Sequence, residues 1–215
     1  IAYLMRENAL YIHILTMAHC VGHSDFFKQN RMFADTNPNH VIDTFKAGAK
    51  FVRQLIEDPS IGIDKVEAIL DAAHSDWERH LLLIVEESSQ YFIPQALTKV
   101  MNEGWACTIH YKIVQELNLP DSLHLPFLKL HNQVVRPHLG QLNPYHLGFK
   151  LFEKIIEEDG FEEAMTVREV HNDMSFLRFY LDEKFMQDMN YFSYSFKKTK
   201  KSITIDDVSD DDGWQ

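Results

Sequence analysis

The segment HCVGH places His19 and His23 four residues apart in an apolar stretch whose spacing (Leu4, Ala9, Ile12, Leu15, Ala18) is helical. Residues i and i+4 lie about 40° apart around a helix, so both imidazoles reach one point. Zinc hydrolases present two histidine ligands this way. A chain with twelve histidines also offers such a pair by chance, one ring packed and one exposed. The segment NEGWA sets Glu103 among Met101, Trp105 and Ala106. A carboxylate buried there is costly unless it is paired, hydrogen-bonded or metal-bound. His110 follows seven residues later, about 20° away around the same helix. Gly104 costs a helix interior ~1 kcal/mol relative to alanine, which makes sense where another group must approach the backbone. The same residues equally fit a helix that starts at Asn102 as N-cap and carries Glu103 in its first turn.

Two histidines at i,i+4 and a downstream N-E-G-aromatic-A helix resemble the gluzincin zinc peptidases. The resemblance implies His19, His23 and Glu103 as ligands of Zn²⁺ or another divalent transition metal, with water in the fourth position. The sequence departs from that pattern at Cys20, where gluzincins carry the general-base glutamate directly after the first histidine. A thiol does not replace a carboxylate in activating water. Substitutes are available in LHNQVVRPHLGQLNPYHLGF and in REVHNDMSF. With His110, these supply the candidate catalytic residues His131, Tyr145, His146 and His171, as base or oxyanion stabiliser. His40, His74, His80 and His124 read as surface or capping residues. A cysteine hydrolase is the competing chemistry. Cys20 lies on a different helix face from its neighbour His19, and no nucleophile elbow surrounds Cys20 or Cys107. Phosphate-binding and serine-hydrolase glycine motifs are absent from the sequence.

These residues need elements to hold them. The periodicity predicts one long helix over 2–28, then helices over 43–57 and 64–74. Asn37-Pro38-Asn39 reads as a loop. At His74-Ser75-Asp76 one amphipathic pattern gives way to another without Gly or Pro, as at a tight corner or at an omitted flexible segment. Residues 77–92 and 93–117 follow as helices, the second apolar enough for burial on more than one side. Residues 119–141 read as loop-rich around Pro120, Pro126 and Pro137. Asn143-Pro144 opens another helix, and 161–189 reads as a last one. Beyond Tyr191, FSYSFKKTKKSITIDDV alternates in the manner of a hairpin, and the five Asp of 206–212 read as a solvated tail or strand edge. The expected fold is mainly α: a helical domain over 1–190 with a zincin-like two-helix metal site, then a small β element or the start of a C-terminal domain over 191–215.

Composition narrows the function. Of 215 residues, 21 are Lys or Arg and 32 are Asp or Glu, a formal charge of −11, so a phosphate-tracking nucleic-acid binder is disfavoured. Hydrophobic residues at 45% rule out disorder for most of the chain. Two cysteines cannot form a disulfide framework, no apolar run reaches the length of a membrane span, and no secretion signal opens the chain. The expected setting is an intracellular, reducing compartment. The chain opens on Ile1, so further sequence upstream is expected.

Four blocks in order, AHCVGHSDFFKQN, YFIPQALTKVMNEGWACTIHYKIV, NPYHLGFKLFEKI and REVHNDMSFLRFYL, look like the SpoVR family of stage V sporulation protein R and its relatives. Members are normally about twice this length, so the chain resembles a core fragment. The resemblance implies a link to the spore cortex, a peptidoglycan layer, or to stationary-phase stress in non-sporulating relatives. Two functions follow as expectations. One is a metal-dependent hydrolase of peptide or peptidoglycan-derived amides. The other is a non-catalytic scaffold acting with a PrkA-type serine kinase, in which the His/Glu motif is structural.

Overall fold

The computed structural model describes residues 3–36, 40–67, 76–138, 141–189, 194–198 and 203–208. It is mainly helical. In chain order the helices are α1 (Leu10–Gln29), α2 (Val41–Glu57), α3 (Gly62–Glu67), α4 (Asp76–Leu97), α5 (Lys99–Glu116), α6 (Asp121–Val134), α7 (Pro144–Asp159), α8 (Phe161–Val170), α9 (Asp173–Tyr180) and α10 (Glu183–Asp188). A 3₁₀ turn, Arg31–Phe33, follows α1. Two antiparallel strands, β1 (Tyr194–Lys198) and β2 (Ile203–Val208), close the described chain. Among the described residues no helix is long and apolar enough to cross a membrane. The expectations at Asn37-Pro38-Asn39, at the joint His74-Ser75 and beyond Val208 lie outside the described residues.

The architecture is built around α5. Ten of its residues are buried, so it has almost no solvent face. It lies between α1 on one side and α7 on the other. On α7, Leu147, Leu151, Phe152 and Ile155 repeat at helical spacing and pack on Met101 and Trp105 of α5. Phe26 of α1, Val167 of α8 and Phe176 of α9 complete that core. A satellite cluster, Cys107, Val135 and Phe149, fills the opposite side of α5.

Helix boundaries correct the sequence reading in four places. The first helix starts at Leu10 rather than Ala2, because Tyr3 and Met5 are exposed and have no face to pack on. α5 starts at Lys99, so Asn102 is interior and is not the N-cap. The cap comes from elsewhere: the Asp173 carboxylate accepts hydrogen bonds from the Val100 and Met101 N–H groups at 2.8 and 2.9 Å. The stretch after Leu119 is not loop-rich but carries helix α6. Pro120 precedes its first turn, and Phe127 and His131, four residues apart, bury one face. Pro126 sits inside this helix and costs it an N–H donor. Finally, 161–189 is three helices rather than one. The Asn172 capping box and the Asp182 side chain, which accepts from Phe185 N–H at 2.7 Å, each restart the chain.

Gly104 is explained by α7. A Cβ on Gly104 would lie 2.3 Å from the carbonyl carbon of Gly148, and one on Gly148 would lie 2.1 Å from the Val100 carbonyl oxygen. The two helices therefore cross backbone to backbone. Gly104→Ala or Gly148→Ala should cost about 3 kcal/mol, because the obstacle is main chain and cannot swing aside. Gly62→Ala, at φ +72° with nothing within 4 Å, should cost only ~1 kcal/mol of conformational strain. Urea midpoints for the three variants check this ranking, and equal losses would refute the crossing as the cause.

Candidate metal centre

The same close packing positions the polar residues on the other side of α5. Gly22, one residue before His23, sits where a Cβ would come within 2.7 Å of the Ala106 Cα. With α1 seated that tightly, His19 and His23 face Glu103. The two Nε2 atoms are 3.0 Å apart, and Glu103 Oε2 stands 3.5 Å from His23 Nε2 and 3.8 Å from His19 Nε2. Three atoms with those separations lie on a circle of radius about 2.0 Å, which is the length of a Zn–N or Zn–O bond.

The surroundings treat these three atoms as donors. Glu103 Oε2 is buried without a hydrogen-bond partner, while Oε1 accepts from Lys99 Nζ at 2.5 Å. An orphaned buried carboxylate oxygen is costly, and a cation at the centre of the triangle relieves it. His23 donates its Nδ1–H to Asn102 Oδ1 at 2.8 Å, which leaves a lone pair on Nε2. Ligating histidines are oriented in this way. Burial pushes the Glu103 carboxyl up, but its contacts with His19 and Lys99 and the nearby His23 outweigh that and hold it at about 2. It is therefore a carboxylate at neutral pH. Burial lowers the His23 pKa, so its ring is neutral and able to bind metal.

Behind His19 runs a column of imidazoles. His19 Nδ1 faces His110 Nδ1 at 3.0 Å, and His110 Nε2 faces His131 Nδ1 at 2.7 Å. Burial, and then the neighbouring His131, hold His110 down to about 3; burial holds His131 down to about 4. Both rings are uncharged at neutral pH. Tyr145, at the start of α7, lies close to the Glu103 carboxylate. Burial and that negative charge push the Tyr145 hydroxyl up to about 12, so it keeps its proton. A cavity of about 640 Å³ opens beside these groups, walled by Leu15, His19, His110, Gln133, His138 and Tyr145.

The structure thus gathers His19, His23, Glu103, His110, His131 and Tyr145. His146 and His171 are placed elsewhere. His146 donates from Nδ1 to the Val135 carbonyl at 2.7 Å and lines a separate cavity with Lys150 and Glu153. His171 ends α8, where its ring meets Ser175, Phe179 and Tyr180 and its carbonyl accepts from Asn30. REVHNDMSF contributes two helix caps: Asn172 for α9 and Asp173 for α5. Cys20 lies on another face of α1, in a groove with Ser24, Asp25 and Lys28. Lys99 and Asn102 are site residues that the sequence reading missed. Lys99 carried a usable signal, standing one turn before Glu103 on the same helix.

A family model described as SpoVR like protein matches residues 1–76 and 75–215. The chain belongs to the SpoVR family. His19 and His23 fall in the first matched segment, and Glu103, His110, His131 and Tyr145 in the second, so the site is assembled from both. YcgB of Escherichia coli (strain K12), an uncharacterized protein, is 26% identical over 322 residues, an alignment that takes in the whole of this chain. The SpoVR chain here spans 63% of that relative's length. No solved structure matches it.

The neutral His110–His131 pair makes a pH prediction for the chelated protein. The unfolded chain takes up protons at the ordinary histidine value of 6.5, whereas these folded rings refuse them down to about 3 and about 4. Their contribution to stability is complete above 6.5 and is lost as pH falls below it. Denaturant midpoints measured in EDTA should decline from about pH 6.5 toward pH 4. A flat profile over that interval would rule out the buried uncharged pair.

Proposed function

We propose that this chain is the core of a metal-dependent amide hydrolase, with Zn²⁺ held by His19, His23 and Glu103 and a peptide or peptidoglycan-derived substrate in the adjoining cavity. The observation that carries the reading is the donor triangle, whose buried carboxylate oxygen has no other partner. Zinc so bound would supply a Lewis acid and an activated water, with a neighbouring group taking the general-base role of the glutamate absent at Cys20.

The remaining work falls to the chain's own groups. Asn102 fixes the His23 ring. Lys99 balances the Glu103 charge and keeps Oε1 turned from the triangle. Tyr145, protonated and beside the cavity, is the donor placed to stabilise an oxyanion developing on the scissile carbonyl. Gln133 and His138 on the cavity wall are suited to hydrogen-bonding the amides of a peptide-like substrate. The peptidoglycan assignment and the bacterial cytoplasm as its setting draw on the SpoVR family's association with the spore cortex.

A second reading, a scaffold for a PrkA-type serine kinase, is favoured by one observation: α4 leaves Leu83, Val85, Phe92 and Ile93 about half exposed. Elemental analysis separates the two. The hydrolase should carry zinc when purified without chelators and should cleave a muropeptide or N-acyl peptide amide. His23→Ala and Glu103→Gln should lose both properties while helicity survives. Tyr145→Phe should retain metal and lose roughly 10²-fold in kcat, with KM little changed. A metal-free wild type, or full activity in Glu103→Gln, would sink the hydrolase and leave kinase binding as the property to measure.

A further inference from the structure

The catalytic triangle uses one nitrogen of His19 and leaves the other unexplained. Nδ1 of that ring stands 3.0 Å from Nδ1 of His110, the same spacing as the two Nε2 atoms on the opposite edge. One turn before His110 on α5, Cys107 brings its sulfur within 4.8 Å of a ring nitrogen of each histidine. We propose that His19, His110 and Cys107 form a second metal site, for a thiophilic divalent ion of the zinc class, with the His19 imidazole shared between the two ions. The site shares His19 with the ion proposed above but does not need that ion to be present.

Three features support it. The first is the donor set: two imidazoles and a thiol are softer than the His–His–carboxylate triangle and select zinc or its thiophilic neighbours. The second is orientation. His110 has its far nitrogen, Nε2, against His131 Nδ1 at 2.7 Å. Donation from Nε2–H to His131 leaves the His110 Nδ1 lone pair facing His19.

The third is charge balance in a dry place. Cys107 is 0% exposed and His110 1%, so an uncompensated divalent charge would be prohibitive there. Loss of the Cys107 thiol proton on binding offsets one of the two arriving positive charges at the sulfur itself. The second ion would join α1 to α5, through His19 on one helix and Cys107 and His110 on the other.

Cobalt(II) titration of the chelated protein tests this. A Cys20→Ser background is used, so that Cys107 is the only thiol. The expected result is two equivalents per chain, one of them accompanied by a thiolate-to-cobalt charge-transfer band. Cys107→Ser should drop binding from two to one and abolish the band. Glu103→Gln should also drop it to one but keep the band, which separates failure of the catalytic site from failure of this one. One equivalent without the band in the Cys20→Ser protein overturns the proposal, as does retention of both equivalents in Cys107→Ser. Should Cys107→Ser lose its helical circular dichroism, the band in the Cys20→Ser protein decides by itself.

Discussion

The backbone-to-backbone crossing of α5 with α7 governs most of what surrounds it. Gly104 and Gly148 leave no Cβ where the two backbones meet. On the other side, Gly22 lets α1 approach Ala106 almost as closely. A helix held this way on both sides has no solvent for its polar groups, so each must find a partner inside the protein. The Thr108 hydroxyl donates to the Gly104 carbonyl, Asn102 receives His23, and Asp173 satisfies the free N–H groups at the start of the helix. Glu103 is the exception. One of its oxygens takes Lys99 and Tyr145 lies close by, but Oε2 is left to the two histidines. The tight crossing thus creates the demand that the site answers.

The electrostatics follow from the same burial. One ionised carboxylate sits beside imidazoles that burial keeps neutral, at His23, His110 and His131. Such a cluster has lone pairs to offer a cation. Lys99 supplies a positive charge only at the rim, where its side chain is half exposed. A divalent ion bound among neutral imidazoles and a single carboxylate stays electrophilic, because one negative ligand does not quench its charge.

Much of this was legible in the residues, for identifiable reasons. The i,i+4 spacing of His19 and His23 and the strangeness of a charged Glu103 beside a mid-helix glycine are local signals, and the structure brings these three side chains together. Gly104 was read correctly as a place of close approach, but its partner, Gly148, lies 44 positions away and no pattern announces the pairing. Misreadings came where a side chain's role is set at long range. The Asp173 and Asn172 side chains cap α5 and α9, and a cap supplied from 73 residues away has no sequence spacing to recognise. Prolines at 120, 126 and 137 pointed to loop over a segment that Phe127 and His131 hold helical through burial. There, tertiary packing outweighed local propensity.

The hold nearest His19, His23 and Glu103 rests on few fully buried side chains. α1 buries only Ala18, Gly22 and Phe26, a stripe one residue wide at i, i+4 and i+8. Met17 and Val21 on the same helix remain about half exposed. So narrow a stripe gives little apolar area to fix the helix against α5. His19 and His23 flank it, and each is tied to α5 by side-chain contacts with His110, Asn102 and Glu103. An ion bound between residues 19 and 103 would close a long stretch of chain, and its binding free energy would add to the docking of α1. That docking already rests on the close Gly22 contact and on Phe26 in the core shared with α5 and α7.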